Sequence, residues 1–93
     1  MTIDHEAYSA LILDALGDVI REQRTERAWT QRELAEAAGV HVNVIGSIER
    51  GKSAMRLSTL VLIADALETT SALLMRETEA RVKRAQAESS DQA

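Results

Sequence analysis

Cysteine is absent from this 93-residue sequence and histidine occurs twice, at His5 and His41, so metal and nucleophile chemistry have few places to start. The missing thiols exclude a disulfide scaffold and every cysteine-ligated zinc or iron–sulfur site. His5-Glu6 lacks a second histidine at helical spacing, which leaves no metal pair. The chain carries no nucleophile–base pair, glycine-rich phosphate loop or metal-ligand cluster, so an enzyme is not expected, and neither are catalytic residues, cofactors or metals. One stretch does suggest a chemistry. Between positions 39 and 56 the only carboxylate is Glu49, against the cations Arg50, Lys52 and Arg56, a local net charge of +2. That sign suits phosphate, although the whole chain carries −4 and has a pI near 5.1.

The scaffold for such a patch must be small and aliphatic. Ninety-three residues make one small domain, for which oligomerisation is a natural source of stability. Hydrophobic residues make up 45%, too many for a disordered acidic chain, and the only aromatics are Tyr8 and Trp29. The first residues show neither a basic region nor a cleavable apolar stretch, so no secretory signal is expected. The longest apolar runs, 10–13 and 60–64, are far too short to cross a bilayer. A cytoplasmic protein without a membrane partner is the expectation.

Apolar spacing is helical throughout, and nothing alternates like a β-hairpin. A first helix is predicted over about 4–27, where Tyr8, Leu11, Ile12, Leu13, Ala15, Leu16, Val19 and Ile20 spread over roughly 200°, about twice the stripe one core needs. Gly17 marks a place for that helix to bend or split. Thr30 and Glu33 have the spacing of a capping box opening a second helix, whose apolar side is Leu34, Ala35 and Ala38 and whose stop is Gly39. A third helix is predicted over 42–50 with Val44, Ile45 and Ile48 as apolar candidates. A loop over 52–56 leads to a fourth at 58–67 carrying Leu60, Ile63, Ala64 and Leu67. Thr70 caps a fifth with Leu73 and Leu74. From 76 onward the sequence is charged, with Glu77/Arg81 and Glu79/Lys83 at i,i+4, and reads as a solvated extension fraying over 87–93. Arg81, Lys83 and Arg84 belong to that solvated face rather than to a DNA flank.

The central pattern is helix, tight turn, helix. Ala35 lies four residues before Gly39, and Val40, Ile45 and Ile48 follow that glycine at one, six and nine residues. Such a joint sets two short helices at a steep angle and holds the later one proud of the body, where it can enter a major groove. Here the sequence resembles the phage-repressor (Cro/Xre-like) helix-turn-helix family over residues 16–75. The resemblance rests on Trp29-Thr30-Gln31 before Glu33-Leu34-Ala35, then Ala38-Gly39-Val40, then Ile48-Glu49-Arg50-Gly51-Lys52, in order and at these separations.

The resemblance implies an all-α, five-helix lambda-repressor-like domain at 16–75 that binds duplex DNA as a symmetric dimer, with an N-terminal helical extension at 1–15 and a charged helical tail at 76–93. It implies base-edge contacts from Val42, Asn43 and Ser47, with Gly46 between them leaving space. It implies DNA-backbone contacts from Gln31, Arg50, Lys52 and Arg56, with His41 as a further candidate, otherwise a solvated turn residue. It also implies an ion pair of Arg24 with Glu49 clamping the first helix to the third, and a Trp29 packed beneath the turn between the first two. The side chains suit these roles. Asn can pair with adenine through two hydrogen bonds, Ser serves several bases, and Val can touch a thymine methyl. Without an arginine in the third helix before Arg50, readout should lean towards A·T pairs and DNA shape. The chain departs from the family pattern at His41, where a hydroxyl residue is usual and a better cap, at Met55 (often proline), at Glu68 (often glycine), and in the polarity of Gln23 and Leu62. Gly46 costs the third helix up to about 1 kcal/mol relative to alanine.

The surplus apolar arc makes Tyr8, Leu11, Ile12 and Leu13 the expected dimer contact. The competing face is the exposed side of the fourth and fifth helices, around Leu62, Thr69, Thr70 and Met75. The function expected is a sequence-specific transcriptional regulator, a repressor or autoregulator, acting as a homodimer on an inverted-repeat operator and nucleoid-associated when bound. No small-molecule ligand is expected. The alternative is a protein-binding adaptor or antitoxin-like partner protein that keeps the fold without strong DNA binding. A restriction–modification controller, an antitoxin and a stress or developmental regulator are equally compatible settings.

Overall fold

The structure is a computed structural model that describes residues 4–52 and 54–91; Met1, Thr2, Ile3, Ser53, Gln92 and Ala93 lie outside the described residues. Five helices follow in order, α1 (His5–Glu26), α2 (Gln31–Ala38), α3 (Val42–Glu49), α4 (Leu57–Ala66) and α5 (Ser71–Asp91), and no strand occurs among the described residues. The Asp4 carboxylate caps α1 by accepting from the backbone N–H of Glu6 at 2.9 Å. Both halves of the predicted capping box form at α2, with Thr30 Oγ1 accepting from Glu33 N and Glu33 Oε1 accepting from Thr30 N, each at 3.1 Å. Thr70 Oγ1 accepts from Leu73 N and opens α5.

The core is aliphatic. Leu16, Val19 and Ile20 of α1 meet Leu34, Ala35 and Ala38 of α2, Ile45 and Ile48 of α3, Leu60, Ile63 and Ala64 of α4, then Leu67 and Leu74. Trp29, half-buried, packs against the edge of this cluster. The burial of so many Leu, Ile and Val side chains, each worth about 1.5–3 kcal/mol, is the main driving force for the fold.

Two expectations are corrected. α1 runs through Gly17 without a break. Gly17 is buried because α1 lies directly on the end of α3: a Cβ there would overlap the Ile48 carbonyl oxygen and sit 3.0 Å from that of Glu49. Its role is close approach. The charged extension is not simply solvated either. α5 lies along α1, burying Thr78 and Val82, and remains helical through Asp91 where fraying was expected. Thr78 Oγ1 donates to the Leu74 carbonyl at 2.8 Å, which satisfies the buried hydroxyl within the helix. Arg81 pairs with Glu77 as predicted, at 3.0 Å, and also reaches across to Glu22 of α1.

Candidate nucleic-acid interface

The turn between α2 and α3 is made by backbone chemistry. Gly39 stands at φ 73°, ψ 31°, with nothing within 4 Å of where its Cβ would be, so the left-handed backbone rather than lack of room calls for glycine. Val40 N then donates to the Ala35 carbonyl at 3.0 Å, closing α2. His41 turns out to be a working cap: its Nδ1 accepts from Asn43 N at 3.1 Å. An imidazole accepting at Nδ1 carries its proton on Nε2, so the outer edge of this exposed ring is a donor.

α3 is sorted by its period. Ile45 and Ile48 point into the core, while Asn43 and Val44 are exposed and Ser47 is half-exposed. Val42, expected among the outward residues, is half-buried and packs against the core. Val44, 36% exposed, takes the outer place instead, beside Asn43 and one turn before Ser47–Ile48. Asn43, Val44 and Ser47 share a groove of about 430 Å³ with Ala54, Met55, Arg56 and Thr59. The structure therefore brings Asn43, Ser47 and Arg56 together, and adds Val44 and Thr59. Neither was legible: spacing left open which valine of α3 faces outward, and Thr59 reaches the groove from α4. Arg50 and Lys52 are exposed just beyond the helix.

Behind this edge lies the ion pair. Arg24 Nε and Nη2 donate to Glu49 Oε2 and Oε1 at 2.6 and 2.8 Å, and Arg24 Nη1 donates to the Trp29 carbonyl at 2.7 Å. The two side chains are only 12% and 3% exposed. The Glu49 hydrogen bonds raise the Arg24 pKa above its already high ordinary value, outweighing the opposite effect of burial. A buried charge pair of this geometry fixes the seating of α3 on α1. Gln31 joins it, donating from Nε2 to Glu49 Oε1 at 3.1 Å. Gly46 does not leave space towards the outside as expected. It is buried, and the side chains of Arg50 and Gln31 close over it.

Tyr8, Ile12 and Leu13 line a second apolar groove, of about 340 Å³, with His5, Ser9 and Ala54. Leu11 is 43% exposed, whereas Leu57, Val61, Leu62 and Leu73 on α4 and α5 are 74%, 47%, 48% and 52% exposed. Among the described residues no group of three or more acidic or histidine side chains converges to hold a metal, and no single helix is long and apolar enough to cross a membrane.

Residues 20–74 match the model of a helix-turn-helix family. Control protein C.SmaI of Serratia marcescens is 39% identical over 59 residues, 63% of this chain and 70% of that protein. The crystal structure of the clp gene regulator ClgR from Corynebacterium glutamicum superposes with a TM-score of 0.77 at 28% identity, covering 85% of this chain and 84% of ClgR. The restriction–modification controller protein C.Esp1396I, solved as a tetramer in complex with its natural 35-base-pair operator, superposes with a TM-score of 0.69 at 25% identity, covering 76% and 93%.

Proposed function

Since this chain belongs to the helix-turn-helix family of Cro/C1-type transcriptional regulators, matched over residues 20–74, we propose that it binds duplex operator DNA in a sequence-specific manner as a homodimer. The observation that carries the reading is the outward edge of α3: Asn43, Val44 and Ser47 open to solvent, with Arg50, Lys52 and Arg56 alongside and the opposite face locked by Glu49. Asn43 would pair with adenine and Val44 would touch a thymine methyl, giving A·T-leaning half-sites. Gln31, Arg50, Lys52, Arg56 and the Nε2 of His41 would hold phosphates and set the register, carrying no sequence information themselves. Twofold symmetry of the protein implies an inverted repeat with half-site centres roughly 34–36 Å apart. The operator complex of C.Esp1396I supports assembly of several copies on one DNA. Repression and autoregulation are the proposed outcomes, with the protein residing in the cytoplasm and on the nucleoid.

Selection of bound duplexes from a random pool tests this directly. Enrichment of a palindromic, A·T-leaning site, salt-dependent binding to it, and loss of binding in the Asn43→Ala/Arg50→Ala double variant are expected. Equally weak binding to all DNA would overturn the reading and favour an adaptor that binds a partner protein, which the acidic pI of 5.1 would suit.

A further inference from the structure

Arg50 leaves α3 at its C-terminal end, where a side chain pointing onward would meet DNA beyond the recognition helix. Its guanidinium lies back over the preceding turn, the direction helical side chains take. A Cβ on Gly46 would lie 3.1 Å from Arg50 Nη1 and 3.9 Å from Arg50 Cζ, and the same point is 3.5 Å from Gln31 Oε1. The cation and the carboxamide oxygen thus converge over the one residue of α3 without a side chain. The orientation of that carboxamide is dictated from behind. Glu49 is a carboxylate and can only accept, so Gln31 must present Nε2 to it, at 3.1 Å, which leaves Oε1 on the side of Gly46. Glu49 is in turn held by Arg24. From the core outward, Arg24 donates to Glu49 and Gln31 donates to the same carboxylate, and the Arg50 guanidinium lies over the same glycine as the Gln31 carboxamide oxygen.

We infer that Gly46 and Gln31 are positioning residues that preset Arg50 for a DNA phosphate beside the start of α2. This rests on the DNA-binding reading above. Gln31 keeps a second amide hydrogen for the same phosphate. The glycine accordingly trades helix propensity for the placement of one charge, because an ordered guanidinium loses less side-chain freedom on binding than a free one. A Cβ at position 46 crowds Arg50 Nη1 at 3.1 Å, so the guanidinium, the flexible partner in the contact, shifts by a few tenths of an ångström rather than the fold.

The test is Gly46→Ala, measured beside Arg50→Ala and the double variant. Gly46→Ala is expected to melt at or above the wild-type temperature, since alanine is the better helix former. It should nonetheless bind operator and unrelated DNA more weakly by the same factor. The slope of log K against log salt should become shallower, by up to about 1 per subunit, the value for complete loss of a phosphate contact. The double variant should bind no worse than Arg50→Ala alone. A wild-type salt slope in Gly46→Ala, or effects of the two substitutions that simply add, would overturn the inference. A DNA-independent arm separates it from the parent reading: NMR of the Arg50 side-chain Nε–H should report an ordered guanidinium in the wild type that becomes mobile in Gly46→Ala and Gln31→Ala. Equal mobility in all three overturns the positioning role whatever the DNA result, whereas absence of wild-type operator binding with this ordering intact counts against the proposed function alone.

Discussion

Glu68 sits at φ 58°, a left-handed backbone angle between α4 and α5, and Ala28 at φ 57° makes the corresponding turn after α1. For a residue with a Cβ this conformation costs roughly 1–2 kcal/mol. The Glu68 side chain is exposed, so removing it sacrifices no packing. Glu68→Gly is therefore expected to stabilise the protein by about 0.5–1 kcal/mol, the relief of backbone strain exceeding the extra freedom glycine gives the unfolded chain. A rise in the urea midpoint at constant slope is the measurement; an unchanged or lower midpoint contradicts it. The position was legible as a departure from the family pattern, since glycine is often found there, but the angle that explains the departure belongs to the folded chain. His41 teaches the same lesson from the other side. By residue type it is a poor cap, yet its Nδ1 caps Asn43 because the turn brings the ring back over the helix end.

At the scale of elements, the pairing of α1 with α5 is where charge pattern alone misleads. Leu74, Thr78 and Val82 lie at four-residue spacing, a readable seam, but they stand among charged neighbours that suggest a solvated helix. Arg81 closes the seam by bridging Glu77 and Glu22. The Arg81 hydrogen bond, partly opposed by desolvation, lowers the Glu22 pKa below its ordinary value of 4.5. Because the folded value is depressed, the stabilisation is fully present above pH 4.5 and fades as pH falls through the lowered value. Glu22 is largely exposed, so the effect is small, about 0.2–1 kcal/mol. Thermal unfolding of Glu22→Gln should show a lower melting temperature than wild type at neutral pH and convergence with it in acid. A gap that persists in acid would mean the carboxylate is not the stabilising group.

For the whole molecule, two apolar faces compete to meet a second copy. The width of the apolar arc on α1 favours Tyr8, Leu11, Ile12 and Leu13, but the chain itself half-covers three of these around Ala54, leaving only Leu11 substantially exposed. Four large apolar side chains remain exposed on α4 and α5, and Leu62 is apolar where the family pattern is polar. Large apolar side chains left in water favour a partner there, so we propose the α4–α5 face around Leu62 as the dimer contact. Leu62→Glu is expected to yield monomers in sedimentation and weaken operator binding, with Leu11→Glu remaining dimeric. The reverse result would assign the interface to α1. Net charge operates at this scale too. The chain is acidic overall, yet Arg50, Lys52 and Arg56 follow closely in sequence at and just after the end of α3, and the local field is what a phosphate meets.

Residue order alone determined the helices, the capping box at Thr30, the stop at Gly39 and the aliphatic core, because each depends on neighbours within a turn or two. It also marked the cationic stretch after α3. Only the tertiary structure decided why Gly17 is glycine, which valine of α3 faces outward, how α5 covers α1, and where Arg50 points. Those depend on what packs across a gap of many residues, as when Gly17 meets Ile48 or Arg24 meets Glu49, and local spacing holds no record of which surfaces will touch.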